Sequence, residues 1–519
     1  MNKPADGPVT LPGLESFATA LTAPATPATP TRPRVKPVDR SQMSWQMMDV
    51  ERLIEPDHPA RAIWELVGRL ELKGFYAPIE ALEGSAGRTP WDPRLLVSLW
   101  IYAYSRGISS AREIARRCTY EPAFQWLCGL GAINHHTLSD FRVDHDASLR
   151  ELFVQVLGVL SSEGLVSLER VMHDGTRIKA NAGADSFRRE ERLKEHLEAA
   201  RKQVEAMGDP REEEPARKRA AQERAVRERQ QRLERALEEV QKVRQAKRSQ
   251  DKEQARASQS DPQARIMKQS DGGYAPSYNV QLSTDASNRI IVGADVSQSG
   301  SDFVHLIGAV AQVEANLGKK PGQVVVDGGF TSRENIMAMA QQGVDMIGSL
   351  PAANPSSAGQ QQQRGVSEKF HLDKFSYDAQ QNIYRCPVGA SLTAKGREFC
   401  PGVVLHKYVA KVEVCAACQF QSECCPGNQH HGRSVIRAVH SPAVRRFTEK
   451  MQTEGAKAIY RQRGAVAEFP NAWIKDKFGL KQFRLRGLMK VRLEILWAAL
   501  TYNIQQWIRL SWRTKLAAN

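Results

Sequence analysis

The chain has 519 residues, 73 Lys+Arg against 58 Asp+Glu for a formal net charge of +15, 41% hydrophobic residues and 7% aromatics. At about 150 residues per domain this length excludes a single small domain and predicts three or four modules. A sequence pI near 9.5 and a mean hydropathy of −0.47 describe a soluble protein with a polyanionic partner, nucleic acid before membrane.

No secretory signal opens the chain and no apolar run reaches the ~18 residues of a bilayer span, so the expected location is cytoplasmic. Residues 1–44 are rich in Pro, Ala and Thr and end in Arg32-Pro33-Arg34-Val35-Lys36-Pro37, a composition that predicts a disordered tail. From Trp45 to about Leu165 apolar residues recur at helical spacing, as at Ile63, Leu66, Val67 and Leu70, so 45–165 reads as an all-α domain. Ser109-Ser110-Ala111-Arg112-Glu113-Ile114-Ala115-Arg116 and His136-Thr137-Leu138-Ser139-Asp140-Phe141-Arg142 both begin like helices capped by Ser or Thr. Their Arg112, Arg116 and Arg142 suit a helix-turn-helix-like DNA reader, and an ordinary bundle with a solvated basic face explains them equally well.

Past Leu165 the texture becomes mixed α/β. Val166 to Asp174 reads as a strand that turns at Gly175-Thr176, and Tyr278–Thr284 with Ile290–Val296 reads as a hairpin. Phe303–Leu317 then reads as a helix, Val324–Asp327 as a buried strand, Arg333–Gln342 as a helix and Val344–Leu350 as a last strand. Residues 166–350 and 432–512 form this sheet domain, with two insertions. Residues 185–260 predict a helical hairpin with a narrow seam through Leu193, Leu197, Ala200, Val204 and Met207, a break at Gly208-Asp209-Pro210, and a second pattern through Val226, Leu233, Leu237 and Val240. Residues 351–431 open on a polar linker, Asn354 to Gln363, and carry six of the eight cysteines. Two helical stretches close the chain, Pro442–Gln462 and Ala465–Leu510.

Asp174 and Asp327 each end an expected strand and are followed by Gly, which puts two carboxylates at the edge of the sheet where open α/β folds carry their sites. Glu468 lies on a late helix with Lys475 seven residues on, about two turns, so the two share a face. Oxygen ligands of this kind suit hard divalent cations and phosphodiester chemistry.

On these residues the chain, from about Arg52 to Trp512, resembles bacterial insertion-sequence transposases of the DDE class. The stretches that carry the resemblance are His173-Asp174-Gly175-Thr176-Arg177-Ile178-Lys179-Ala180-Asn181, Tyr278-Asn279-Val280-Gln281, Val326-Asp327-Gly328-Gly329-Phe330, and Tyr460-x-x-Arg463 with Glu468 and Lys475. Phe483-Arg484-Leu485-Arg486-Gly487-Leu488 and His136 to Arg142 match as well. The resemblance implies a ribonuclease-H-like catalytic domain in which Asp174, Asp327 and Glu468 bind two Mg²⁺ or Mn²⁺ ions. It implies too that Tyr460, Arg463 and Lys475 grip DNA near the scissile phosphate. The surroundings of Glu468 depart from the family pattern, with Ala467 before it and Phe469-Pro470-Asn471-Ala472-Trp473 after it.

Cys386-Pro387-x-Gly389 and Cys415-x-x-Cys418 with Cys424-Cys425 offer a structural Zn²⁺ site, read as Cys386, Cys415, Cys418 and Cys424. Cys400, Cys425, His430 and His431 compete as ligands, and reduced unliganded thiols are the alternative. From Lys475 on, cations including Arg484 and Arg486 alternate with aromatics and suit phosphate contacts, while Trp497 and Trp507 read as core. The resulting expectation is a transposase that binds the inverted repeats at the ends of its element and acts on target DNA as at least a homodimer, at the bacterial nucleoid. A catalytically inactive relative that only binds DNA is the alternative.

Overall fold

The computed structural model describes residues 47–80, 89–206, 216–349, 359, 361–426 and 431–518. The expected tail, the break at Gly208-Asp209-Pro210, most of the polar linker and His430 lie outside the described residues. The fold and the site belong to the unit Val50–Asn519. No described helix is long and apolar enough to cross a membrane.

The helical part comprises α1 (Pro59–Gly68), α2 (Pro93–Ser105), α3 (Ala111–Arg117), α4 (His135–Asp144) and α5 (Asp146–Ser162), with shorter turns between. Their starts follow side-chain chemistry. Asp92 caps α2 ahead of Pro93, and Ser110 caps α3 by accepting the Glu113 N–H. The cap of α4 is Asn134, which accepts from His136 N, so Thr137 lies inside the helix rather than at its start. α2 is buried on nearly every side from Leu95 to Tyr104, as a helix at the centre of a bundle must be.

The main sheet comprises β1 (Arg170–Lys179), β2 (Arg265–Lys268), β3 (Tyr274–Asp285), β4 (Ile291–Ser297), β5 (Gln323–Val326) and β6 (Asp345–Gly348). Its order is β2-β3-β1-β5-β6, with β4 also paired to β3. β1, β3 and β4 pair antiparallel in sequence, whereas β5 runs parallel to β1 and β6 parallel to β5. Between β1 and β2 lies the helical hairpin of α6 (Glu190–Ala206) and α7 (Ala216–Ala246), sealed by Leu193, Leu197, Ala200, Leu233, Ala236 and Val240. α8 (Leu306–Leu317) and α9 (Arg333–Gln341) are the crossovers that parallel strands require.

The Cys-rich insertion folds as a five-stranded antiparallel sheet that sequence patterning did not foresee. Its strands are β7 (Ser376–Asp378), β8 (Ile383–Arg385), β9 (Ser391–Cys400), β10 (Val403–Ala410) and β11 (Ser434–His440), in the order β11-β10-β9-β8-β7. It therefore runs to His440, past residue 431. The carboxyl-terminal stretches are also more broken than expected. Thr453 caps a new helix, separating α10 (Pro442–Gln452) from α11 (Glu454–Arg461). Gly479 and Gly487, with φ of 67° and 86°, delimit a loop before α12 (Leu488–Trp507).

The helical part does not stand apart from the sheet. One hydrophobic core runs from α1 and α2 through β3 and β4 to α12, and within it Trp100 packs on Trp497 with ring centroids 6.4 Å apart. Trp497 and Trp507 are core residues, each 1% exposed.

Candidate active site

β1 does not turn at Gly175 but continues to Lys179. Gly175 is glycine for another reason: a Cβ there would lie 2.6 Å from Asp302 Oδ1 and 2.7 Å from Gln281 Nε2. Asp174 is therefore a mid-strand residue. The parallel register pairs Met172 with Val325, so Asp174 comes level with Asp327, the residue just past the end of β5. The two carboxylates meet at one edge because β5 stops where β1 goes on. Asp327 Oδ1 accepts the Gly329 N–H at 2.8 Å, which orients it in a tight turn.

Asp174 shares its face of β1 with Thr176, and the segment carrying Glu468 covers that face. Asp174 Oδ1 accepts from Arg463 Nη1 at 3.4 Å, and its Oδ2 accepts from Asn471 Nδ2 at 3.0 Å. Arg463 Nη2 lies 3.8 Å from Glu468 Oε1, so one guanidinium bridges the two acids. Lys475 Nζ donates to Thr176 Oγ1. Burial pushes the Asp174 carboxyl up to about 6, against the pull of Arg463, with Asp327 and Glu468 adding to the rise. Burial likewise lowers Lys475 from the ordinary lysine range, and the Asp174 charge opposes it.

The backbone around Glu468 explains how Pro470 is accommodated. Proline lacks the N–H an α-helix would bond four residues back. Here Gly464–Glu468 winds as a π turn, and a short α segment begins at Phe469 with Pro470 in its first turn. A second π turn over Trp473–Lys477 follows. Glu468, with a side chain 66% exposed, looks outward, whereas the Asp174 side chain is 15% exposed. Among the described residues no three His, Cys, Asp or Glu side chains converge closely enough to hold one ion as they stand.

Behind the acids, on the opposite face of β1, His173 is buried between Ser283 Oγ at 2.9 Å and Gln281 Oε1 at 3.0 Å. Burial pushes its pKa down to about 4. Gln281 and Asn279 both donate to Asp302 Oδ1, at 3.1 and 2.7 Å. Asn471 and Asp302 escaped sequence reasoning. Asn471 carried a signal, since it stands three residues after Glu468 and four before Lys475 on one helical face, whereas Asp302 sits in a Ser/Gly loop with no pattern.

The other expected residues are dispersed. Tyr460 packs against the core around β5 and β6. Arg484 and Arg486 stand beside Asn181 at the far end of β1. Arg112 is exposed, while Arg116 is held by Glu113 through two hydrogen bonds of 2.9 Å. Arg142 is no surface residue. It is 6% exposed, donates to Ser109 O at 2.8 Å and lies 4.7 Å over the Trp100 ring, so packing of α4 against α2 removes it from any DNA face.

In the insertion, Cys386, Cys415, Cys418, Cys424 and Cys425 line one cavity of about 230 Å³. Backbone N–H groups of Ala390 and Arg433 point at Cys386 Sγ and Cys415 Sγ, at 3.2 and 3.4 Å. Cys400 is not among them; at the end of β9 it donates to Glu398, and His431 does not line the cavity.

A family model described as Transposase domain (DUF772) matches residues 48–144, and one described as Transposase DDE domain matches residues 385–508. The second takes in Arg463, Glu468, Asn471 and Lys475. No curated protein matches the chain. Among solved structures it is similar to a cryo-EM structure of the piggyBac transposase synaptic complex with hairpin DNA. That likeness has 9% identity over 87% of this chain and 74% of the other, with a TM-score of 0.28.

Proposed function

We infer from this chain, which is a DNA transposase of the DDE type, that it cuts and joins the ends of its own mobile element with Asp174, Asp327 and Glu468 as the catalytic acids. The observation that carries the assignment is the level placement of Asp174 on β1 and Asp327 just past the end of the neighbouring parallel strand β5, with Arg463 linking Asp174 to Glu468. The strand order β4-β3-β1-β5-β6, three antiparallel strands followed by two parallel ones, supports a ribonuclease-H-like domain.

The donor set fits divalent cations. Three carboxylates offer hard oxygen ligands, and the Arg463 guanidinium lies between Asp174 and Glu468, at 3.4 and 3.8 Å. Those three residues would hold two Mg²⁺ or Mn²⁺ ions. When bound, such ions supply Lewis-acid charge for the attacking and leaving oxygens of phosphodiester hydrolysis and strand transfer. The protein's own part is positional. Asn471 fixes the rotamer of Asp174, Gly329 N–H fixes Asp327, and outward-looking Glu468 has to swing in to complete the set. Arg463, released from the acids, is placed for a bidentate phosphate contact, and Lys475, held at Thr176, for a point-charge contact. Arg112, Arg484 and Arg486 are the exposed candidates for DNA farther out.

Strand transfer separates a transposase from a nuclease that shares its site. With labelled duplexes carrying the gene's own flanks and a supercoiled plasmid, joined products are expected in Mg²⁺. Flank cleavage with all ends left free would leave a nuclease, and flank binding without cleavage would leave the inactive relative.

The cysteines that line the insertion cavity would take a structural Zn²⁺ on drawing closer together than they stand. Cys386, Cys415 and Cys418 supply three thiolates and the neighbouring Cys424-Cys425 pair the fourth, with backbone N–H groups already aimed at two sulfurs. Purified protein is expected to contain about one zinc per chain. Cys415→Ser is expected to lower that content severalfold and to expose the insertion to protease first. Zinc-free protein with an insertion as resistant as the rest would contradict the assignment.

A further inference from the structure

Beyond Asp174, β1 runs along an edge that β5 has left. At its end Lys179 pairs with Gln482, its N–H reaching Lys481 O at 3.2 Å and its carbonyl taking the Phe483 N–H at 2.9 Å. The loop Arg484-Leu485-Arg486-Gly487 that follows is held from three directions. Glu494 accepts the backbone N–H groups of Arg484 and Leu485 at 3.1 and 3.0 Å. Asp261 accepts Gly487 N at 3.1 Å, and Gln263 accepts Leu488 N at 2.7 Å. Asn181 donates to Arg484 O at 2.7 Å and takes Arg486 Nε on its own carbonyl at 3.0 Å.

Glu494 and Asp261 are both 0% exposed, and a carboxylate buried that deeply is costly unless it is well matched. Every hydrogen bond Glu494 accepts comes from the backbone of this loop. The buried Arg142 guanidinium pulls against the rise that burial causes in Glu494. Trp497, one turn on from Glu494 in α12, donates from Nε1 to Arg142 O at 3.3 Å, and this bond ties the helix that holds the loop to α4 of the helical part. The guanidinium of Arg484 and the exposed ammonium of Lys179 have no ion-pair partner among the described residues, and Arg486 bonds only to Asn181.

We propose that Arg484–Gly487, with Lys179, is a clamp for the DNA backbone on one side of the cleavage point, and that Glu494 is the residue that positions it. Asp174 and Asn181 are seven residues apart on or just past one strand, about 23 Å at strand rise, which is about seven base pairs of B-form DNA. The clamp measures where a duplex lies relative to Asp174 and links that to the helical part through α12, which carries Glu494 and Trp497. The inference rests on the transposase reading, since that reading places DNA at Asp174.

Duplexes of the gene's own flank, and of unrelated sequence, would be truncated stepwise on either side of the cleavage point and bound to the full chain in Ca²⁺, with affinity read by anisotropy. Wild-type affinity is expected to rise about tenfold as one side grows past about seven base pairs, with the log-affinity against log-salt slope steepening by about two. The double variant Arg484→Ala/Arg486→Ala should lose that rise while binding short duplexes like wild type. Glu494→Gln should also lose it, the two arginines remaining but no longer held. Should Glu494→Gln unfold, the double arginine variant carries the test. A double variant with the full length dependence would overturn the clamp. Loss of preference for flank over unrelated DNA in wild type would instead strike the transposase reading, and the length dependence on unrelated DNA would still decide the clamp.

Discussion

Asp174→Asn is expected to lower metal-dependent cleavage of the element's flanks by about 10³-fold or more while leaving DNA affinity within about twofold. The substitution keeps the shape of the side chain that Asn471 Nδ2 holds, at 3.0 Å from Asp174 Oδ2. It removes the carboxylate that comes level with Asp327 and shares the Arg463 guanidinium with Glu468. The DNA contacts proposed for Lys475, Arg484 and Arg486 do not pass through it. Initial rates in Mg²⁺ beside anisotropy on the same duplex check both halves. Wild-type cleavage by the Asp174→Asn variant would remove Asp174 from the catalytic set, and a variant that had also lost binding would show a folding defect instead.

The second large effect is on stability. Trp497→Ala is expected to cost about 3–5 kcal/mol, the range for deleting a large aromatic from a packed core. Trp497 is 1% exposed, packs on Trp100, and donates from Nε1 to Arg142 O at 3.3 Å. Its removal opens the seam between the helical part and α12 and takes away the hydrogen bond that joins α12 to Arg142 of α4. Met489→Ala, on the same helix but 54% exposed, should change little. Urea midpoints of the two variants beside wild type check this, midpoints being safer than extrapolated free energies for a chain of several modules. Equal midpoints for Trp497→Ala and wild type would contradict the shared core.

Much of the sheet was legible because burial writes itself into pattern. Val324–Asp327 is a continuous apolar run closed by an acid, and the antiparallel strands around Ser287 and Asn288 are marked by a turn. The shared face expected of Glu468 and Lys475 assumed α-helical spacing, whereas two π turns carry these residues. What stayed hidden depends on partners distant in sequence. Gly175 resembles a turn residue and is instead a gap for Asp302 and Gln281. Arg142 resembles a surface cation and is instead stacked on Trp100. The insertion sheet has long exposed strands such as β9, whose residues are mostly polar and do not alternate, so no periodicity announced it. Glu494 sits among apolar residues of α12, and only the returning loop at Arg484 explains a buried acid there.

The most direct measurement is cleavage of a labelled fragment carrying the gene's own flanks by the wild-type chain in Mg²⁺, in Mn²⁺ and in EDTA. Nicking at the flanks in both metals and none in EDTA is the predicted result. Specific binding in all three conditions with no nicking in any, beside an active control enzyme, would contradict a catalytic site at Asp174, Asp327 and Glu468, and would make outward-looking Glu468 and its π turn the first place to look.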